Sequence, residues 1–265
     1  MVDERDIQQI MEKQLEAIDL TLEEMINASF EHESIHVFRE RIRQFRALMF
    51  FYMDKVRSSD YHMIDTVTKK YFNMTSPIRE IDEFERGYAA FMHPETFEKL
   101  NLIKKPQLER MKTEFEETNG FRFQQMKVHL KPIQSISKTE PCFSNRQCEL
   151  MRLFLENESN GFFEENFIHT KRILAKKLRY VHNILMSETA TLDLVNKELE
   201  AFQEIAKQLH DVCINLRIVG QYQLDDQALI TKLVHDHMAF TALAESQYQK
   251  TCDSMEYFLN RMAVK

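Results

Sequence analysis

A chain of 265 residues is long enough for one large domain or two small ones with a real core. Hydrophobic residues make up 43% and charged residues 29%, an ordinary soluble balance, and the formal net charge of −7 taken alone argues against a polyanion partner. With only 4 Gly and 5 Pro, the chain lacks the residues that the many turns of a sheet protein consume, so long helices joined by a few breaks are expected.

The first helix is predicted from about Asp6 to Phe30, where Ile7, Met11, Leu15, Ile18, Leu22 and Ile26 recur at three- and four-residue steps. A second runs from Glu33 to Tyr52. Ser58–Ser59–Asp60 reads as a break, and a third helix spans Ile64 to Phe72. Thr75–Ser76–Pro77 interrupts that helix or caps its continuation. Pro94 and Pro106 bracket a short element. A helix then covers about Gln107 to Glu117, ended by Asn119–Gly120. Lys131 to Asn145, with Pro132, Pro141 and several Ser, has no clear period and marks the boundary between an N-terminal half (about 6–130) and a C-terminal half (about 146–262). Helical patterns resume near Arg146 and pause at Ser159–Asn160–Gly161. They continue over Glu164 to about Ser187, Leu192 to about Val219, and Asp225 to the end. No β-alternation is convincing, and roughly eight helices result.

The opening residues are charged and carry no apolar h-region, so no secretory signal is expected. No apolar run reaches the roughly eighteen residues of a membrane span. Cys142, Cys148, Cys213 and Cys252 form no CxxC pair and no zinc spacing, and read as reduced thiols of a cytosolic protein.

The strongest signal is an internal repeat. One copy holds His36, Arg39, Arg43 and Arg46; the other, 133 residues later, holds His169, Arg172, Lys176 and Arg179. Each has a base at +3, +7 and +10 from its histidine. With His36 at zero on a helical wheel, Arg39, Arg43 and Arg46 fall at about 300°, 340° and 280°, while Ile35, Ile42, Phe38 and Phe45 fall between about 260° and 180°. The basic stripe therefore borders the apolar stripe, at the rim of a packed seam. Glu40, at about 40°, is expected to point away. Like charges so placed repel one another, and the arrangement is costly unless an anion is present. A charge reversal at Arg39 should then leave the fold as stable or more so. Two such stripes can face one groove, whose natural occupant is a polyanion. Solvated basic faces are common in helices, but two matching copies at half-chain spacing favour a shared ligand. A packing role for either histidine remains nearly as plausible.

At these residues the chain resembles the CHAD proteins, the conserved-histidine α-helical domain family. The second copy matches the family pattern at His169, Arg172, Lys176, Lys177 and Arg179, with Tyr180 also typical. The first matches at His36, Arg39, Arg43 and Arg46 and departs at Gln44, where a second base is usual. Arg79, in Ile78-Arg79-Glu80-Ile81-Asp82, looks like a further family element, and Arg217 is its counterpart in the second half, without the expected acid. The resemblance covers nearly the whole chain. It implies a single all-α CHAD domain of two antiparallel helical bundles, related by pseudo-two-fold symmetry, with a basic channel between them that binds inorganic polyphosphate. The residues offer no P-loop, no nucleotide-binding glycine fingerprint, no nucleophile–base pair and no metal spacing, so no catalysis, no cofactor and no metal are expected, along with a cytoplasmic location that includes polyphosphate granules and a polyphosphate-metabolising protein as a further partner. Glu83-Phe84-Glu85-Arg86-Gly87 is the nearest approach to the ExExK triphosphatase signature of many relatives and lacks its Lys, so a standalone module is expected.

Two other functions compete. His210–Asp211 and His235–Asp236–His237 invite a metal-dependent HD-type phosphohydrolase, but His235 and His237 diverge by about 200° on a helix. The stripes could also hold single-stranded nucleic acid, yet such readers usually add exposed aromatics for stacking, and here the Phe residues fall mostly on apolar arcs.

Overall fold

The computed structural model describes residues 7–118, 121–131, 141–156, 165–185 and 190–263. The fold is all-helical, and no strand occurs among the described residues. The α-helices are α1 (Ile7–Asn27), α2 (His32–Phe51), α3 (Ser58–Met74), α4 (Ser76–Tyr88), α5 (Pro94–Glu117), α6 (Pro141–Leu155), α7 (Glu165–Leu185), α8 (Ala190–Gln221) and α9 (Gln227–Ala263). Short 3-10 helices cover Met53–Lys55, Ala89–Phe91 and Phe123–His129.

The chain forms two compact units. The first comprises Met1–Gly87 and Phe97–Glu140, the second Tyr88–Thr96 and Pro141–Lys265.

In the first unit α1 packs along α2 and against the 3-10 helix at Phe123–His129. Ile7, Met11, Leu15, Ile18, Leu22 and Met25 of α1 are at most 4% exposed, whereas Ile26 is 45% exposed. A helix of 3.6 residues per turn drifts off a strict four-residue step, so Met25 takes the inner place expected for Ile26. The centre is aromatic: Tyr71 lies 4.9 Å from Phe123 and 5.8 Å from Phe115, and Phe38 lies 6.4 Å from Phe123. Asp19 is buried in this unit, where its carboxylate accepts the backbone N–H groups of Phe123 (2.7 Å) and Gln124 (3.0 Å). It thus caps the 3-10 helix from a position the sequence offered only as a polar gap in the α1 pattern.

In the second unit α8 and α9 run side by side, with α7 against α8 and α6 against α7 and α9. Phe154, Phe202 and Tyr248 form its aromatic core, and the Tyr248 hydroxyl donates to the Phe154 carbonyl at 2.9 Å. Asp226 begins α9 by accepting from the Leu229 N–H, the His93 N–H and the Thr96 hydroxyl. Tyr88 donates to Asp236 at 2.9 Å. These bonds bring Tyr88–Thr96, early in sequence, into the second unit.

Several boundaries differ from expectation. Ser58–Ser59–Asp60 is not a break but the first turn of α3, where Ser and Asp suit the unpaired N–H groups. Pro77 sits in the first turn of α4, as expected for a continuation. Pro106 lies inside α5 and does not end an element. Its missing N–H would bond the Leu102 carbonyl, and that turn faces solvent, Leu102 being 74% exposed, so water can serve the carbonyl instead. Asn119–Gly120, positions 132–140 of the expected boundary, Ser159–Gly161 and the end at Ser187 lie outside the described residues.

Candidate anion-binding stripes

The first stripe lies on α2. Its histidine, His36, accepts a hydrogen bond at Nδ1 from Arg79 Nη2 of α4 at 3.1 Å. A guanidinium can only donate, so the His36 proton sits on Nε2. Burial, then the Arg79 and Arg43 charges, lowers the His36 pKa below its ordinary value. Arg39 sits deeper than a rim residue, at 8% exposed. Its Nη1 donates to the Phe72 carbonyl (2.7 Å), the Thr75 hydroxyl (2.8 Å) and the Ser76 hydroxyl (3.0 Å), and its guanidinium stacks 3.7 Å from the Phe72 ring centroid. Arg39 thus ties α2 to the junction of α3 and α4. Burial beside Arg43 and Arg79 pulls its pKa down to about 9, which leaves it protonated at neutral pH.

The expectation that acids stay clear of the stripe is overturned. Glu40 does not point away: its carboxylate meets Arg43 Nη2 at 3.0 Å, because residues three apart on a helix are neighbours even when about 60° apart on the wheel. Asp65 of α3 takes two bonds from Arg46, the shorter at 2.8 Å. Glu83 of α4 pairs with Arg79. A wheel drawn for α2 cannot show Asp65, which arrives from α3. Gln44, where the family pattern has a base, bonds to Arg41 and Glu40.

Sequence reasoning missed two neighbours of this stripe, His32 and Arg86. His32, one turn before His36, places Nε2 3.1 Å from Glu83 Oε1 and receives a bond from Arg86 Nη1 at Nδ1, 2.9 Å. Arg86 follows Arg79 by seven residues, the same-face spacing that marks the stripe itself, and that spacing could have revealed it.

The second stripe lies on α7. Arg172, the repeat equivalent of Arg39, is 9% exposed, while Lys176, Lys177 and His169 are half-buried. Arg179 pairs with Glu200 of α8. Lys171, outside the motif, is buried, and its Nζ donates to the Leu153 carbonyl at the end of α6 (2.9 Å) and to the Glu156 carbonyl just beyond it. From α8, His210 brings its ring to 4.9 Å from that of His169, and Arg217 is exposed two turns further on. Burial, then Arg172, His169, Lys176 and Arg217, pushes the His210 pKa down to about 3. Arg217 therefore joins the field of this stripe, and His210 is the residue that meets the motif histidine as Arg79 does in the first unit. Its place seven residues before Arg217 repeats the His36–Arg43 spacing, a signal hidden by reading His210–Asp211 as a metal motif.

At the His235–Asp236–His237 motif the acid is already engaged. The Asp236 carboxylate accepts from the Tyr88 hydroxyl and Lys232 (2.7 Å), and His235 is 77% exposed. Among the described residues no group of three or more His, Cys, Asp or Glu is placed to hold a metal ion. No described helix is long and apolar enough to cross a membrane.

No protein-family model and no curated protein matches the chain. Solved structures do. The CHAD domain from the plant Ricinus communis superposes with a TM-score of 0.63 at 12% identity, covering 95% of this chain and 90% of that one. PptA from Streptomyces chartreusis superposes with a TM-score of 0.56 at 10% identity, covering 95% of this chain and 98% of that one. Likeness at such low identity speaks to the path of the backbone, and by that measure the chain has a CHAD-like, all-helical fold.

Proposed function

We propose that this protein binds inorganic polyphosphate, a linear phosphate polyanion, and does no chemistry on it. The observation that carries the reading is the doubled basic stripe, on α2 and on α7, each joined by a cation from another helix: Arg79 in the first unit, Arg217 in the second. The contacting groups are His36, Arg43, Arg46 and Arg79, and His169, Lys176, Lys177, Arg179 and Arg217. Arg39 stands behind them as a buried anchor, and Arg172, its repeat equivalent, is likewise buried. Phosphate oxygens accept charge-assisted bonds from such groups, and a polyanion engages several at once. A cytoplasmic setting near polyphosphate granules, and a polyphosphate-metabolising partner, follow from the same reading.

Titration with long-chain polyphosphate at several salt concentrations tests it. Each neutralised phosphate releases a counterion, so the log affinity falls by somewhat under one unit per contact for each decade of salt. Orthophosphate competes poorly because it spans few of these groups. Salt-independent affinity, or equal affinity for orthophosphate, overturns the proposal, and preference for single-stranded RNA in direct competition replaces it with nucleic-acid binding.

A further inference from the structure

The neighbourhood of His32 has an arrangement that the stripe alone does not explain. Glu83, 27% exposed, sets its carboxylate against Arg79 and 3.1 Å from His32 Nε2. Arg86 contacts the same imidazole, and Arg79 reaches on to His36. Arg86 Nη1 lies within reach of both ring nitrogens, 2.9 Å from Nδ1 and 3.2 Å from Nε2, and Arg79 Nη1 contacts Nε2 as well. The Arg79 guanidinium and the His32 imidazole thus converge on one carboxylate oxygen, and the Arg86 guanidinium lies against the same imidazole. Phosphate oxygens take the same donors in the same way.

We infer that His32, Arg79 and Arg86 form a phosphate seat that Glu83 occupies as an internal competitor, so that Glu83 sets the affinity of the first stripe and its preference for densely charged polyanions. The inference rests on the binding reading given above. An incoming anion must displace a carboxylate already hydrogen-bonded there. A polyphosphate, with about one charge on every phosphate at close spacing, can offset that loss through neighbouring contacts at Arg43 and Arg46. Nucleic acid carries its charges further apart along each strand and offsets it less. Glu83 lies on the same helix as Arg79 and one turn away, so it returns to the seat when the ligand leaves. Burial, followed by the charges of Arg79 and Arg86, lowers the His32 pKa, which is consistent with a seat held in a positive field.

The test is Glu83→Gln in the full chain. Glutamine keeps the size and one acceptor oxygen and removes the charge. Affinity for long-chain polyphosphate at moderate salt should tighten roughly fivefold, the scale of one partly exposed ion pair. Affinity for single-stranded RNA should tighten by a larger factor, narrowing the preference between the two. His32→Gln and Arg86→Gln in the Glu83→Gln background should reverse the gain, while Lys131→Gln in that background should not. Equal or weaker polyphosphate binding by Glu83→Gln overturns the inference, because Glu83 then serves to position Arg79. Glu83→Asp, which retains the charge on a shorter arm, separates this outcome from misfolding: a positioning role is partly rescued by it, and a competing role gives wild-type affinity or tighter. If neither wild type nor Glu83→Gln binds polyphosphate, the binding reading itself fails and this inference with it. If both bind equally, only this inference fails.

Discussion

Replacing Arg39 is the sharpest test of how the stripe is built. On the wheel Arg39 is one of four mutually repelling bases, and its removal should relieve strain. In the structure it is buried and donates to the Phe72 carbonyl, the Thr75 hydroxyl and the Ser76 hydroxyl, over the face of Phe72. A hydrogen bond from a charged donor is worth about 1.5–3 kcal/mol, and stacking on an aromatic face adds about 1 kcal/mol. Against this stand the desolvation of the guanidinium and its repulsion by Arg43 and Arg79, which together lower its pKa to about 9. Three bonds to partly satisfied partners, less that desolvation, leave a net loss of about 2–4 kcal/mol for Arg39→Met, which keeps the volume and removes the charge. For a domain of this size that is a fall in Tm of roughly 5–12 °C. Arg39→Glu should fall further, since it sets a carboxylate against the Phe72 carbonyl. Thermal unfolding followed by circular dichroism, without ligand, decides the matter. A Tm for Arg39→Met at or above wild type refutes the anchoring role and restores the picture of a repelling rim.

Stability should fall as pH drops below the ordinary histidine range. His210 has a folded pKa pushed down to about 3, with burial as the main cause and the Arg172, His169, Lys176 and Arg217 charges behind it. The unfolded chain then binds more protons between about pH 6.5 and 3, so stability is complete above that window and lost as pH falls through it. Urea unfolding at pH 7.5 and pH 5.5 should show a shallower loss for His210→Gln, and an equal loss in both proteins counts against the assignment. For binding, Arg43→Glu and Lys176→Glu should each weaken polyphosphate affinity far more than Lys131→Glu, because each replaces a cation of a proposed contact stripe with an anion. Should Lys176→Glu abolish binding while Arg43→Glu leaves it intact, the second stripe alone is the site. Polyphosphate chain length should be unchanged after prolonged incubation with Mg²⁺ or Mn²⁺, and shortening absent from a heat-killed control refutes a purely binding role.

The helical class and the doubled motif were legible in the sequence because both depend on local spacing. Apolar residues at three- and four-residue steps place α1, α2 and α7 without reference to any partner, and a base at +3, +7 and +10 from a histidine puts those side chains on one arc of whatever helix forms. Depth and partnership were not legible, because they depend on which other helix arrives. Arg39 and Arg43 lie about 40° apart on the wheel. Yet only Arg39 meets the Phe72–Ser76 turn, and it alone of the two becomes an interior anchor. Asp65 and Glu200 come from α3 and α8 to lie on Arg46 and Arg179, at sequence distances where no periodicity can announce them. His210 meets His169 for the same reason: α7 and α8 pack side by side, and their packing, not any local pattern, decides which residues share a charge field. Spacing along one helix therefore determines direction, and the approach of a neighbouring helix determines burial, charge balance and the groups left for a ligand.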